Sequence, residues 1–128
     1  MLIFRQSKNM KKTLVIGASP NPTRFSYEAV TLLKKNNFPV VALGVKTGEI
    51  EGVEIIKGKP DLADIHTITL YIGENKQPEY YDYIIGLKPK RLIFNPGTYN
   101  EYLDELATKN GIETVAKCTL VMIRIGRY

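Results

Sequence analysis

The segment Gly17-Ala18-Ser19-Pro20-Asn21-Pro22-Thr23-Arg24-Phe25-Ser26 carries most of the chain's anion-binding chemistry. It follows a β-branched apolar run, Thr13 to Ile16, and precedes an amphipathic stretch. Gly17 lets the backbone turn sharply after a strand. Pro20-Asn21-Pro22 excludes helix and makes a loop. Ser19, Thr23 and Ser26 supply hydroxyl groups, and Arg24 supplies a planar fork that suits phosphate. Ser26 stands where a helix cap is expected. A helix starting there turns unpaired N–H groups and the positive end of its dipole toward the loop, which is the chemistry of phosphate binding.

The dinucleotide fingerprint G-x-G-x-x-G is absent, because Ser19 stands where the second glycine is needed. The acid that usually ends the second strand is also missing, and Gly44-Val45-Lys46 replaces it. A cation at Lys46 favours a phosphate on or near a ribose. No carboxylates cluster as in a phosphorylated receiver domain. No catalytic set is present either. One cysteine, Cys118, and one histidine, His66, cannot make a zinc site. His66 precedes a strand at the amino end of the sheet, so it cannot activate Cys118 at the other end. Cys118 is placed to face the far end of a ligand. Glu74, Glu79 and Glu101 suit helix starts. Tyr71 and Tyr99 are candidates to stack on a base.

The elements that must position these residues alternate between strand and helix. Thr13 to Gly17, Pro39 to Gly44, Thr67 to Ile72, Arg91 to Phe94 and Ile112 to Ala116 read as buried strands, with a further short apolar piece at Val53 to Ile56. Helices are expected from Ser26 to about Asn37, from Pro78 to near Pro89, and from an Asn100 cap to Gly111. Asp61 to Ile65 reads as a turn or a single helical turn, and Cys118 to Ile125 as a short terminal helix. Continuous apolar strands joined by helices predict an α/β fold: a three-layer open parallel sheet of about five strands with helices on both faces. Its ligand site belongs at the carboxyl ends of the strands, at the switch point. The loops so selected are Gly17–Ser26, Gly44–Glu49, Ile72–Gln77, Asn95–Asn100 and Lys117–Thr119.

Composition agrees. The chain has 128 residues, 44% hydrophobic and 24% charged, which fits one globular domain. Residues 1–9 read as an N-terminal extension ahead of a domain over 10–128. The lone cysteine suits a reducing compartment, and no apolar run approaches a membrane span, so the expected location is cytoplasmic. The net charge is +5, but Arg5 and Lys8 lie in the extension. Lys34-Lys35 and Lys88 to Arg91 are separate helix-end charges rather than a basic stripe, which argues against nucleic acid. A monomer or a homodimer is compatible with the sequence.

In order and spacing the chain resembles the CoA-binding domain family, small Rossmann-like proteins similar to the CoA-binding domain of the succinyl-CoA synthetase α subunit. The resemblance rests on Val15-Ile16-Gly17-Ala18-Ser19 with Pro22 and Arg24, Ile50-Glu51-Gly52-Val53, Asp61-Leu62-Ala63-Asp64-Ile65, Asn95-Pro96-Gly97-Thr98-Tyr99-Asn100-Glu101, and Cys118. It implies coenzyme A or an acyl-CoA as ligand, with its pyrophosphate at Gly17, Ala18, Ser19, Pro20, Arg24 and Ser26. The adenosine end would lie near Val45, Lys46, Tyr71 and Ile72, and the remaining lining would come from Asn95, Pro96, Gly97 and Cys118. Two departures stand out. Val45-Lys46 replaces the Asn-Pro of many relatives, and Asn95-Pro96-Gly97 replaces Gln-x-Gly. The synthetase's catalytic histidine belongs to a second domain that this sequence lacks. The expected function is a non-catalytic nucleotide-binding module. A small acyl- or phosphoryl-transfer enzyme and an NAD(P)-binding regulatory protein are the alternatives.

Overall fold

The structure is a computed structural model that describes residues 11–128; the expected extension over 1–9 lies outside the described residues. Its strands are β1 (Thr13–Ile16), β2 (Val40–Leu43), β3 (Glu49–Ile50), β4 (Val53–Ile56), β5 (Thr67–Leu70), β6 (Arg91–Phe94) and β7 (Glu113–Val115). Its helices are α1 (Phe25–Lys35), α2 (Tyr81–Leu87), α3 (Glu101–Lys109) and α4 (Thr119–Arg124). The strands form one sheet in the order β3-β4-β2-β1-β5-β6-β7. All neighbours are parallel except β3 and β4.

Strands β1, β5 and β6 are buried along their whole length, which is why they read as unbroken apolar runs. On one face Leu14, Ile16, Ile68, Leu70, Leu92 and Phe94 pack with Ile84 of α2 and Leu103 and Ala107 of α3. On the other, Val15, Ala42 and Ile93 pack with Val30 and Leu33 of α1 and Met122 and Ile123 of α4. The result is the expected three layers. From β1 the chain moves to β2 on one side, and from β5 to β6 on the other. The switch point therefore lies between the carboxyl ends of β1 and β5.

Four details differ from the sequence expectation. The sheet has seven strands rather than about five, because a short β3–β4 hairpin extends one edge. Ser26 is not the cap of α1. The Asn21 side chain closes a turn onto the Thr23 N–H at 3.0 Å, so Arg24 takes the cap position and Ser26 is buried in the first turn. Asp61 to Ile65 makes no helical turn; it runs as a loop that presses Ile65 and Leu62 onto the core. Pro78 opens a short 3-10 turn, Pro78–Tyr80, which then leads into α2. The Asn100 cap and the terminal helix are present: the Asn100 side chain accepts from the Leu103 N–H at 3.2 Å.

Asp104 ties α3 to its surroundings. Its carboxylate accepts from the Thr114 hydroxyl of β7 at 2.6 Å and from the Tyr99 hydroxyl at 2.6 Å. These bonds favour the ionised form and hold the carboxyl below its ordinary value of 3.8. A carboxyl lowered by folding contributes stability above its unfolded pKa, and that stability is lost as pH falls through the folded value. Asp104→Asn is therefore expected to flatten the acid limb of the stability curve between about pH 5 and pH 2. Urea unfolding across that range, compared with the wild type, measures it.

Candidate nucleotide-binding site

Three strand ends interlock at the switch point. The Leu43 carbonyl at the end of β2 accepts from both the Gly17 and Ala18 N–H groups, each at 2.9 Å. Gly44 then passes so close to the first loop that a Cβ there would lie 2.2 Å from the Ala18 carbonyl oxygen. Gly17 has φ +100°, and a Cβ on it would lie 2.9 Å from the Tyr71 carbonyl oxygen and 2.8 Å from Ile72 Cγ2. Both positions need glycine for close approach, and Gly17 also for its backbone angle. The loops after β1, β2 and β5 thus form one continuous surface.

The first loop is stiffened by its own side chains. The Asn21 N–H donates to Ser19 Oγ at 3.1 Å, and the Thr23 hydroxyl donates to Asn21 Oδ1 at 2.8 Å. Helix α1 starts with Arg24 in extended conformation and no side-chain cap. The N–H groups of Phe25 and Ser26 have no helical carbonyl to pair with. Arg24, Val45 and Lys46 are exposed. Neither the 17–26 loop nor the 44–48 loop contains an acid. The acid in the first turn of α1, Glu28, is paired with Arg124 of α4. Arg24 and Lys46 are thus the charged side chains of the 17–26 and 44–48 loops.

The β6 side of the switch point is held by Asn95. Its side-chain amide donates to Thr69 Oγ1 at 2.6 Å and to the Leu70 carbonyl at 2.8 Å, while its Oδ1 accepts from the Thr119 N–H at 2.9 Å. The Thr69 and Thr119 hydroxyls bond each other at 2.8 Å. The carboxamide of Asn95 is thereby committed to joining β5, β6 and α4. Pro96 and Gly97 stay exposed in the turn that follows. Cys118 occupies the cap position of α4 and is partly exposed.

Tyr71 is mostly enclosed on the α1–α4 face. Its hydroxyl is buried near Thr119 and Thr69, and burial pushes its pKa up. Ile72 packs on the opposite face. Tyr99 is exposed and its hydroxyl is engaged by Asp104. His66 sits just ahead of β5, at the amino end, with Nδ1 2.8 Å from Thr67 Oγ1. Glu74, Glu79 and Glu101 are exposed.

Gly17, Ala18, Ser19 and Pro20 are therefore gathered with Gly44, Tyr71 and Ile72, while Asn95 and Cys118 meet through the start of α4. Ser26, in the first turn of α1, is buried, as are Ala18 and Asn95. Residues not singled out from sequence include Thr69, Thr119 and Gln77. They are lone polar residues whose pairing leaves no periodic signal. Among the described residues there is no group of three or more His, Cys, Asp or Glu that could hold a metal, and no helix is long and apolar enough to cross a membrane.

A doubly wound sheet with this switch point is a Rossmann-like α/β domain. The chain belongs to the CoA binding domain family, which matches residues 11–124. A crystal structure of an uncharacterized protein is 47% identical, covers 93% of this chain and 98% of its own, and superposes with a TM-score of 0.90. A hypothetical protein from Pyrococcus horikoshii OT3 is 23% identical, with 97% of this chain and 89% of its own covered and a TM-score of 0.82. The structure of cell-free ID.343 from Thermus thermophilus is 17% identical, with 99% and 98% covered and a TM-score of 0.80. These last two share the fold. No curated protein matches the chain.

Proposed function

We propose that the chain binds coenzyme A or an acyl-CoA at the carboxyl ends of β1, β2 and β5 and does no chemistry on it. The observation that carries this is the uncapped start of α1. Its free N–H groups and Arg24 stand with Lys46 on two neighbouring loops, 17–26 and 44–48, that carry no acid, the arrangement a pyrophosphate needs. The glycine-lined approach at Gly17 and Gly44 fits a backbone-hugging phosphate. The ligand's pyrophosphate lies along Gly17 to Arg24, its ribose phosphate near Lys46, and its thiol end toward Cys118 and the Asn95–Gly97 turn. Among the described residues, His66 sits at the amino end of the sheet and Cys118 at the cap of α4 beyond its carboxyl end, which favours a binding module over a transferase. A free thiol at Cys118 suits a cytoplasmic setting.

Calorimetric titration with CoA, desulfo-CoA, ATP, NAD and NADP tests the reading. CoA at ~100 times its Kd is expected to stabilise the fold by ~2.7 kcal/mol. Arg24→Ala is expected to weaken CoA binding by about tenfold or more, since charge-assisted bonds contribute about 1.5–3 kcal/mol. Ligand-free stability should not change, because the Arg24 side chain is exposed. Binding of NAD or NADP without CoA overturns the proposal.

A further inference from the structure

Gln77 is fully buried between two loops that border the site. Its side-chain amide donates to the Ile72 carbonyl at 3.0 Å and to the Thr98 carbonyl at 2.7 Å. Its Oε1 accepts from the Asn100 amide at 3.0 Å. The same Asn100 amide donates to the Tyr81 hydroxyl at 2.8 Å, and Asn100 Oδ1 caps α3. Both amide hydrogens of Gln77 are thus used, and they go to two different loops. A buried carboxamide satisfied in this way specifies one arrangement of its neighbours.

Each carbonyl that Gln77 holds leads to the site. Ile72 is the residue whose Cγ2 closes against Gly17. Thr98 closes the turn after β6, its N–H and hydroxyl bonding the Asn95 carbonyl at 3.0 and 2.8 Å. Pro96 and Gly97 are the exposed residues of that turn. We infer that Gln77 is a positioning residue that fixes the Ile72 wall and the Asn95–Thr98 turn as one rigid rim for the nucleotide ligand. This inference rests on the CoA reading above. Gln77 does not touch the ligand; it acts through the two carbonyls it restrains.

The test is CoA affinity by calorimetry from about pH 5.5 to 8.5 for the wild type, Gln77→Met and Gln77→Glu, each checked for folding by circular dichroism. Gln77→Met removes every side-chain hydrogen bond at similar length. Gln77→Glu sets an ionised carboxylate against two carbonyl oxygens, and protonation returns one donor. Both variants are expected to bind CoA about tenfold or more weakly at the alkaline end, from the loss of buried hydrogen bonds. Only Gln77→Glu should recover toward the wild type as pH falls. Affinity unchanged in both variants, or reduced equally in both at every pH, overturns the positioning role. Amide hydrogen exchange of the wild type gives a readout that needs no variant: on adding CoA, residues 72–77 and 95–98 should slow together. Slowing of one segment alone overturns the inference. Failure of the wild type to bind CoA instead overturns the functional proposal, and this inference with it.

Discussion

Gly44→Ala is expected to cost about 3 kcal/mol or more of stability, the upper end for overpacking a tight site. The added methyl would lie 2.2 Å from the Ala18 carbonyl oxygen and 3.0 Å from Ile55 Cγ2. Neither neighbour can yield cheaply. Ala18 is fixed by its N–H bond to the Leu43 carbonyl at 2.9 Å, and Gly44 by its own N–H bond to the Ile56 carbonyl at 3.0 Å. Relief therefore requires separating the ends of β1, β2 and β4, the same strand ends that shape the ligand rim. Urea unfolding should show the stability loss. Gly86→Ala is the control: it lies in the exposed part of α2 with no atom within 4 Å of an added Cβ, and should stabilise by about 0.5–1 kcal/mol through helix propensity. If Gly44→Ala unfolds at the wild-type urea concentration, the interlock of these loops is not a constraint.

Asn95→Ala is expected to lower stability by about 2–4 kcal/mol, the range for leaving buried hydrogen-bonding groups unpaired. It strips partners from the Leu70 carbonyl and the Thr119 N–H at once. The loss should concentrate at α4, whose first turn is anchored to the sheet by this carboxamide and by the Thr69–Thr119 hydroxyl pair. Amide exchange should accelerate in residues 119–124 more than in β1 or β5. Uniform acceleration across the sheet would instead show that α4 and the sheet open only together.

The strands were legible because burial on both faces turns them into unbroken apolar runs, as in Leu14 to Ile16 and Leu92 to Phe94. Once strands and crossover helices were placed, the switch-point rule selected the loops without further detail. The first loop followed from residue chemistry, because Gly17, Arg24 and the prolines each carry a local meaning. Strand β3 was not legible. It is two residues long, and its hairpin turns at Glu51 and Gly52, both with positive φ; glutamate is an unusual residue in such a turn. The Ser26 cap failed because Asn21 closes the loop earlier through its side chain. The roles of Asn95, Gln77 and Asn100 depend on which carbonyls tertiary packing brings within reach, and a one-dimensional pattern does not hold that information.

The same β3–β4 hairpin governs how the sheet meets other chains. An open parallel sheet exposes a row of backbone donors and acceptors at each border, a template on which a foreign strand can grow. Here the border strand offers only two residues, and Glu49 faces Glu54 across the pair. Like charges opposed across a ladder weaken it locally, so the hairpin is held by Ile50 and Ile55, which are buried in the core, rather than by its outer face. It leaves an arriving strand a short, negatively charged ladder. At the far border β7 is three residues long and begins with an exposed Glu113. Short border strands headed by Glu49 and Glu113 thus blunt both borders of the sheet against fibrous stacking.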